Sequence, residues 1–404
     1  MLVAQRRSND PTVVAIAPKM DLGSRIRRRL RQQRIRRSFS HYRSQSAGSE
    51  KFSDDRSVYG SDLLDGLLPC DAINLHWISG LVDYQSFFSA VPRHVPMFWR
   101  LADMNALTGG CHFDDGCGRY STGCGACPQL GSRDSRDLSR EIWLRKDAAF
   151  RSLEPERLHI IALNRWMADI VRQNPLLGKF PVTVIPNGVD TEVFAPRDTR
   201  FARSVLGIPQ EARVVMFAAE HLSNRRKGFS QLAQALSQLS ASSNLFLLSA
   251  GGSHGKIEAP IPHRHVGFVD NDRLLSLVYS AADLYVIPSL QDNQPNTVLE
   301  AMACGVPVVG FDVGGIPDMV RAGITGTLTP AGDAGCLSAA ILDLIRGTDQ
   351  RGAMAVECRR IVMDEYRLET QIQRYIELYE TSFRNDYEHH PEELRTLAHQ
   401  GSEV

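Results

Sequence analysis

The chain has 404 residues, 43% of them apolar and 23% charged, and its 46 Lys plus Arg equal its 46 Asp plus Glu. That length predicts two or three domains with a substantial core, and the balance excludes an acidic disordered chain and a globally basic nucleic-acid binder. Eight cysteines are too dilute for a disulfide scaffold, no window reaches the roughly 18 apolar residues of a membrane span, and the start lacks the apolar region of a secretory signal, so a cytoplasmic protein is expected.

In chain order, VVAIA (13–17) reads as a strand. Between Asp21 and Glu50 no acidic residue occurs, and Arg25, Arg27, Arg28, Arg29, Arg31, Arg34, Arg36 and Arg37 crowd the middle of that stretch. Ile26, Leu30 and Ile35 give it a thin apolar edge at helical spacing. Such a basic helix can lie on an anionic membrane, each Lys or Arg adding about 1 kcal/mol; the alternative is a solvated face of a larger domain. Residues 38–60 are rich in Ser, Arg and Asp and predict a loop. Strands are expected over 72–77 and 96–103, and helices over 82–91 and 135–153. From residue 158 short apolar runs alternate with helical patterns: strands at 158–164, 181–188, 214–220, 244–252, 265–269, 284–289 and 306–313, helices at 165–174, 229–239, 271–283, 295–305 and 368–383. Strands alternating with helices mean parallel β-α-β units, hence an α/β protein of two doubly wound domains with a ligand cleft at the strands' carboxyl ends. The expected division is residues 1–185, 186–367, a returning helix at 368–384 and a polar tail at 385–404.

The stretch PSLQDNQPNTVLEAMACGVPVVG (288–310) carries the most chemistry. A strand feeds a polar loop, and a helix starts near Pro295, which suits a first helical turn. Free N–H groups around Asn296, Thr297 and Val298 form an anion site. Glu300 lies about one and a half turns in, placed to accept from ribose hydroxyls. Asp292 sits in the loop, where it could hold a second polyol such as a sugar; two carboxylates at this spacing also arise by chance. Arg225, Arg226 and Lys227 follow a strand and precede a helix, where an ammonium suits a diphosphate leaving group; the alternative is a solvated patch. In GGCHFDDGCGRYSTGCGACP (109–128), Cys111, Cys117, Cys124 and Cys127 fall within seventeen positions. Four thiolates suit a structural tetrahedral zinc, with His112 as an alternative ligand; reduced loop thiols are the other reading.

The strand ending in Pro-Ser, the acidic loop residue, the seven-residue gap and Glu-Ala in a small-residue helix resemble the donor site of family 4 retaining glycosyltransferases. VIPNGVDTEVF (184–194) and RKGF (226–229) are similar to that family too. The resemblance implies the GT-B fold: two Rossmann-like domains facing across a cleft, with a nucleotide-sugar on the second. It implies Lys227 on the donor diphosphate, Glu300 on the ribose and Asp292 on the transferred sugar, with Arg226, Asn296 and Thr297 in the donor set. The cysteine run resembles that of a polysaccharide-building subgroup, and Asp103 belongs to its catalytic set with Lys227 and Asp292.

The sequence also departs from that pattern. Asp292 stands where Glu is usual, AAEHLSN (218–224) lacks the usual Arg, and WRLADM (99–104) puts Ala102 where a His is expected before Asp103. No Gly-rich turn precedes VVAIA, so the first β-α unit is expected to be missing. The implied activity is metal-independent hexosyl transfer to a saccharide or lipid-linked saccharide in cell-surface polysaccharide synthesis, with no nucleic acid involved. A weakly active nucleotide-binding relative and a nucleotide-sugar epimerase are the alternatives.

Overall fold

A computed structural model describes residues 22–42, 50–60, 63–64, 70–221, 224–239, 244–252 and 261–389. The strand expected at 13–17 and the tail beyond residue 389 lie outside the described residues. The first helix, α1 (Leu22–Phe39), is the arginine-rich segment. Its Leu22, Ile26 and Leu30 are exposed, while Ile35 is half-buried and Arg28 lies 4.6 Å over the Tyr59 ring. The apolar edge therefore points outward only at its first part.

The first domain contains β1 (Ile73–Leu75), α2 (Tyr84–Ala90), β2 (Met97–Arg100), α3 (Leu138–Arg151), β3 (Leu158–Ala162), α4 (Arg165–Gln173) and β4 (Val182–Val184). The strands are parallel and stand in the order β1-β2-β3-β4. Met97, Phe98 and Trp99 are all buried, as expected of a strand covered on both faces. Tyr84, Phe88, Trp99 and Phe150 meet edge-to-face or tilted at 5.3–6.0 Å, each such pair adding about 0.5–1.5 kcal/mol beyond its area.

The second domain runs through α5 (Thr199–Leu206), β5 (Arg213–His221), α6 (Phe229–Leu239), β6 (Leu245–Gly252), β7 (His263–His265), α7 (Asp272–Ser280), β8 (Leu284–Ile287), α8 (Asn296–Ala303), β9 (Val308–Phe311), α9 (Ile316–Met319), β10 (Gly326–Thr329), α10 (Ala334–Arg346) and α11 (Thr348–Glu365). Its sheet order is β10-β9-β8-β5-β6-β7. Strand order reverses between β5 and β8, which pair at Val215–Leu284 and Met216–Tyr285. That switch point opens a crevice at the strands' carboxyl ends. The chain then returns through α12 (Leu368–His389), whose Tyr379 packs 4.7 Å from Phe98 of the first sheet. The two crossings run side by side: Val189 N–H donates to Tyr366 O and Leu368 N–H to Val189 O.

Several elements differ from expectation. The strand sought at 265–269 lies at His263–His265, where both imidazoles share the Ser249 hydroxyl. An edge strand spelled His-Arg-His carries no apolar signal. The Gly-Thr-Leu-Thr of β10 and the helices α5, α10 and α11 lie outside the expected elements, although Asp333 caps α10 through Cys336 N–H; α9 follows the strand-to-helix turn that Gly314-Gly315 suggest. Helix α12 runs past Arg384 into the expected tail.

Candidate functional site

The loops that follow β5 and β8 flank the switch point, and they carry the charged residues. Asn224 accepts from Arg226 N–H and starts a single turn, Arg225–Lys227. Gly228 ends it at φ +69°, and a Cβ there would lie 1.7 Å from Pro288 O, so only glycine lets the two loops touch. Lys227 Nζ then donates to Asp292 Oδ2 at 2.7 Å, Ser289 Oγ donates to the same oxygen at 3.1 Å, and Arg226 Nη1 stands 3.4 Å away. Burial alone would raise the Asp292 pKa, but the charges of Lys227 and Arg226 and the bonds from Lys227 and Ser289 hold it below the usual range. Gly314 fits under this loop at φ +57°, where a Cβ would meet Asp292 O at 1.9 Å.

Helix α8 starts at Asn296 with no side-chain cap; the Val298 N–H donates to Pro295 O at 3.0 Å, which leaves the Asn296 and Thr297 N–H groups as the uncapped start of the helix. Asn296 Oδ1 itself accepts from Asn187 Nδ2 at 2.9 Å. Glu300, farther along α8, accepts from the Tyr279 hydroxyl at 2.8 Å. Its pKa is raised, chiefly by burial, with Tyr279 partly opposing the shift. The two carboxylates are thus pushed in opposite directions, one held ionised by cations and the other desolvated against a phenol. Tyr279 lies within the helix expected at 271–283, and nothing in its own segment marks a partner on α8.

On the facing wall, Asp103 follows β2. Its Oδ1 accepts from Asn105 N–H at 2.8 Å, and its Oδ2 accepts from Trp77 Nε1 at 3.0 Å and from His112 Nδ1 at 2.6 Å. The second ring nitrogen of His112 bonds to Ser53 Oγ at 2.8 Å. A histidine does stand against Asp103, then, supplied by the Cys-rich loop and not by position 102. The carbonyl of Ala102 instead accepts from Asn293 Nδ2 at 3.0 Å, and Leu101 O does the same. Trp77 is 48% exposed beside this carboxylate, with the Lys51 ammonium 3.7 Å over its ring.

Cys111, Cys117, Cys124 and Cys127 line one small pocket with Phe52, Tyr120 and Ser139. The loop turns through left-handed conformations at Asp115, Cys124 and Ala126, with φ of 50°, 57° and 47°. Burial raises the thiol pKa values, that of Cys124 to about 11. Four convergent thiols have the right donor chemistry for zinc, yet among the described residues no three His, Cys, Asp or Glu side chains are grouped as a metal site. Beneath the loop, the fully buried Lys146 donates to Asn105 O and Thr108 O, and burial lowers its pKa to about 8.

The two walls are in contact. Glu50 Oε1 accepts from Arg226 Nε at 2.6 Å and from Asn224 Nδ2 at 2.8 Å. Asn164 Nδ2 donates to Asn293 O at 2.9 Å, and Arg165 Nε to Asp318 Oδ1 at 2.9 Å. Lys227, Arg226 and Asp292 therefore form one cluster. Asn296, Thr297 and Glu300 follow along α8, Asp103 sits on the other wall, and the cysteines form a separate pocket behind it. Arg225, weighed as a phosphate ligand, is exposed.

Residues 212–347 match the family model for glycosyl transferases group 1. A D-inositol 3-phosphate glycosyltransferase of Mycobacterium tuberculosis is 34% identical over 179 residues, covering 41% of this chain. The match spans 36% of that curated relative's length. Sucrose-phosphate synthase from Thermosynechococcus elongatus superposes with a TM-score of 0.61 at 21% identity, covering 78% of this chain and 74% of that one. Anabaena Alr3699/HepE in complex with UDP superposes with a TM-score of 0.60 at 18% identity, covering 80% and 81%. The architecture is GT-B: two parallel α/β domains facing across a cleft, the second carrying the group 1 glycosyl transferase match.

Proposed function

We propose that the protein is a retaining glycosyltransferase that moves a hexose from a nucleoside-diphosphate donor to a hydroxyl of a saccharide acceptor in polysaccharide synthesis. What supports this most is the cluster of Lys227, Arg226 and Asp292 at the switch point, beside the start of α8 and within the 212–347 match. In this reading Lys227, Arg226 and the first N–H groups of α8 at Asn296 and Thr297 hold the diphosphate, Glu300 accepts from the ribose, and Asp292 accepts from the sugar. Donor binding exchanges the Lys227–Asp292 bond for two others: Lys227 to phosphate, and a sugar hydroxyl to Asp292. The bond from the anomeric carbon to the diphosphate oxygen breaks with its electron pair leaving on the diphosphate. The acceptor oxygen bonds to the same face of that carbon, and its proton passes to a phosphate oxygen. Charge develops on the leaving group, where the cations and helix terminus stabilise it. Asp103, fixed by three donors, faces the acceptor side.

Two further readings accompany this one. A zinc held by Cys111, Cys117, Cys124 and Cys127 would fix the loop, with no open position for chemistry. Helix α1, with Leu22, Ile26 and Leu30 exposed among exposed arginines, would rest on an anionic membrane; co-sedimentation with anionic vesicles that is lost at high salt tests this. Among the described residues no helix is long and apolar enough to cross a membrane.

Incubation with radiolabelled UDP-, GDP- and ADP-sugars tests the main reading. Transfer, or slow donor hydrolysis, is expected with one of them. Saturable nucleotide binding without either would favour a nucleotide-binding relative, for which the engagement of Arg226 by Glu50 speaks.

A further inference from the structure

Three consecutive residues of the Cys-rich loop touch three separate parts of the cleft. His112 donates to Asp103. The Phe113 ring lies 4.0 Å from the Arg226 guanidinium carbon. Asp114 Oδ1 accepts from Gln291 Nε2 at 2.7 Å, and Gln291 is the chain neighbour of Asp292. The same loop is held on its other side by Asn293, bonded to Leu101 O and Ala102 O. Asp292 is thus flanked by two residues that both grip the first domain.

The Cys-rich loop is the fixed partner in these contacts. Asp114 Oδ2 accepts from Gly118 N–H at 2.8 Å, and Lys146 donates to the carbonyls of Asn105 and Thr108 from below. Phe113 is 6% exposed in the first domain's core. The contacts across the cleft are mainly polar side-chain hydrogen bonds and not an apolar core, the kind of interface across which domains move relative to one another. We propose that residues 112–114 are positioning residues for the transfer reaction: a latch on the first domain that sets Asp103, Arg226 and the Asp292 loop in their reacting places when the cleft closes. The Cys-rich loop then has a role in the reaction beyond holding its own fold. This rests on the reading of the cleft given above.

Reversing one hydrogen bond tests the latch. Gln291→Glu sets a second carboxylate against Asp114, and adding Asp114→Asn restores the bond with donor and acceptor exchanged. Gln291→Glu is expected to lower kcat/KM for transfer about tenfold or more, while affinity for the free nucleoside diphosphate, bound by the second domain alone, changes less than about threefold. The double variant should recover most of the loss. Full activity in Gln291→Glu, absence of rescue, or an equal loss of nucleotide affinity would each overturn the proposal. If the wild type transfers no sugar from any donor, the catalytic reading fails separately. Solution scattering then decides the latch: Gln291→Glu should be more extended than wild type and the double variant should not, and identical profiles for all three would refute it.

Discussion

The sharpest consequence of the site concerns Asp292 against Glu300. Asp292 is 9% exposed and Lys227 23%, with 2.7 Å between the paired atoms. A nucleoside diphosphate without sugar would have to draw Lys227 away from that carboxylate. In Asp292→Ala the ammonium is free. An ion pair that remains partly solvated is worth about 1 kcal/mol, so nucleoside diphosphate should bind equally well or up to about fivefold tighter. Sugar transfer should fall. Glu300→Ala removes an acceptor from the ribose, a hydrogen bond to a charged group worth about 1.5–3 kcal/mol, and should weaken the same ligand about ten- to a hundredfold. Stability should move the other way. Removing one partner of a buried pair costs roughly 3–5 kcal/mol, and since Lys227 keeps part of its surface in water we expect about 2 kcal/mol for Asp292→Ala. The pH dependence follows the lowered Asp292 pKa. Its contribution is fully present above the ordinary carboxylate value of about 4 and is lost as pH falls through the lower folded value. Calorimetry with the free nucleoside diphosphate, acid unfolding of both variants and a transfer assay with labelled nucleotide-sugar measure these three effects. If Asp292→Ala weakens the sugar-free nucleotide as much as Glu300→Ala does, the division of roles is wrong and the acidic loop shapes the start of α8 instead.

Tyr279→Phe removes the phenol that holds Glu300 and should cost about 1–2 kcal/mol of stability, read by denaturant unfolding. It should also narrow the preference for a ribo- over a 2′-deoxyribo-nucleotide; an unchanged preference would mean that Glu300 orients itself without the phenol. Glu50→Gln removes the internal anion on Arg226 and should tighten nucleoside diphosphate binding several-fold by calorimetry, whereas weaker binding would make Glu50 a brace for the loop. Metal analysis of protein purified without a metal-affinity tag should give close to one zinc per chain, and well-folded protein with little zinc would rule out the thiolate set. Ala102→His should not raise the transfer rate, because His112 already fills that place against Asp103, whereas His112→Ala should lower it. Faster transfer by Ala102→His would show that position 102 retains the catalytic place.

What the sequence disclosed about this site follows chain distance. Asp292, Asn296, Thr297 and Glu300 lie on one strand–loop–helix unit, so strand periodicity, Pro295 and helical rise place them together before any tertiary fold exists. Lys227 is a partial case. Its loop could be read, but its bond to Asp292 depends on β5 and β8 being neighbours, and no periodic pattern encodes strand order. Glu50, His112, Phe113, Asp114 and Gln291 were beyond reach for the same reason. Each meets its partner across the cleft or across the Cys-rich loop, and their own segments carry no helix or strand period. His112 shows the limit best. Read along the chain it is a spare metal ligand among cysteines, and Ala102 is a lost histidine. In the fold the two observations answer each other, because the imidazole reaches Asp103 from nine positions downstream. A departure from a motif at one position is therefore weak evidence of lost chemistry wherever a neighbouring loop can deliver the same group. The surrounding hydrogen bonds decide the matter, since a half-buried carboxylate with three donors has been provided for, whichever residue provides it.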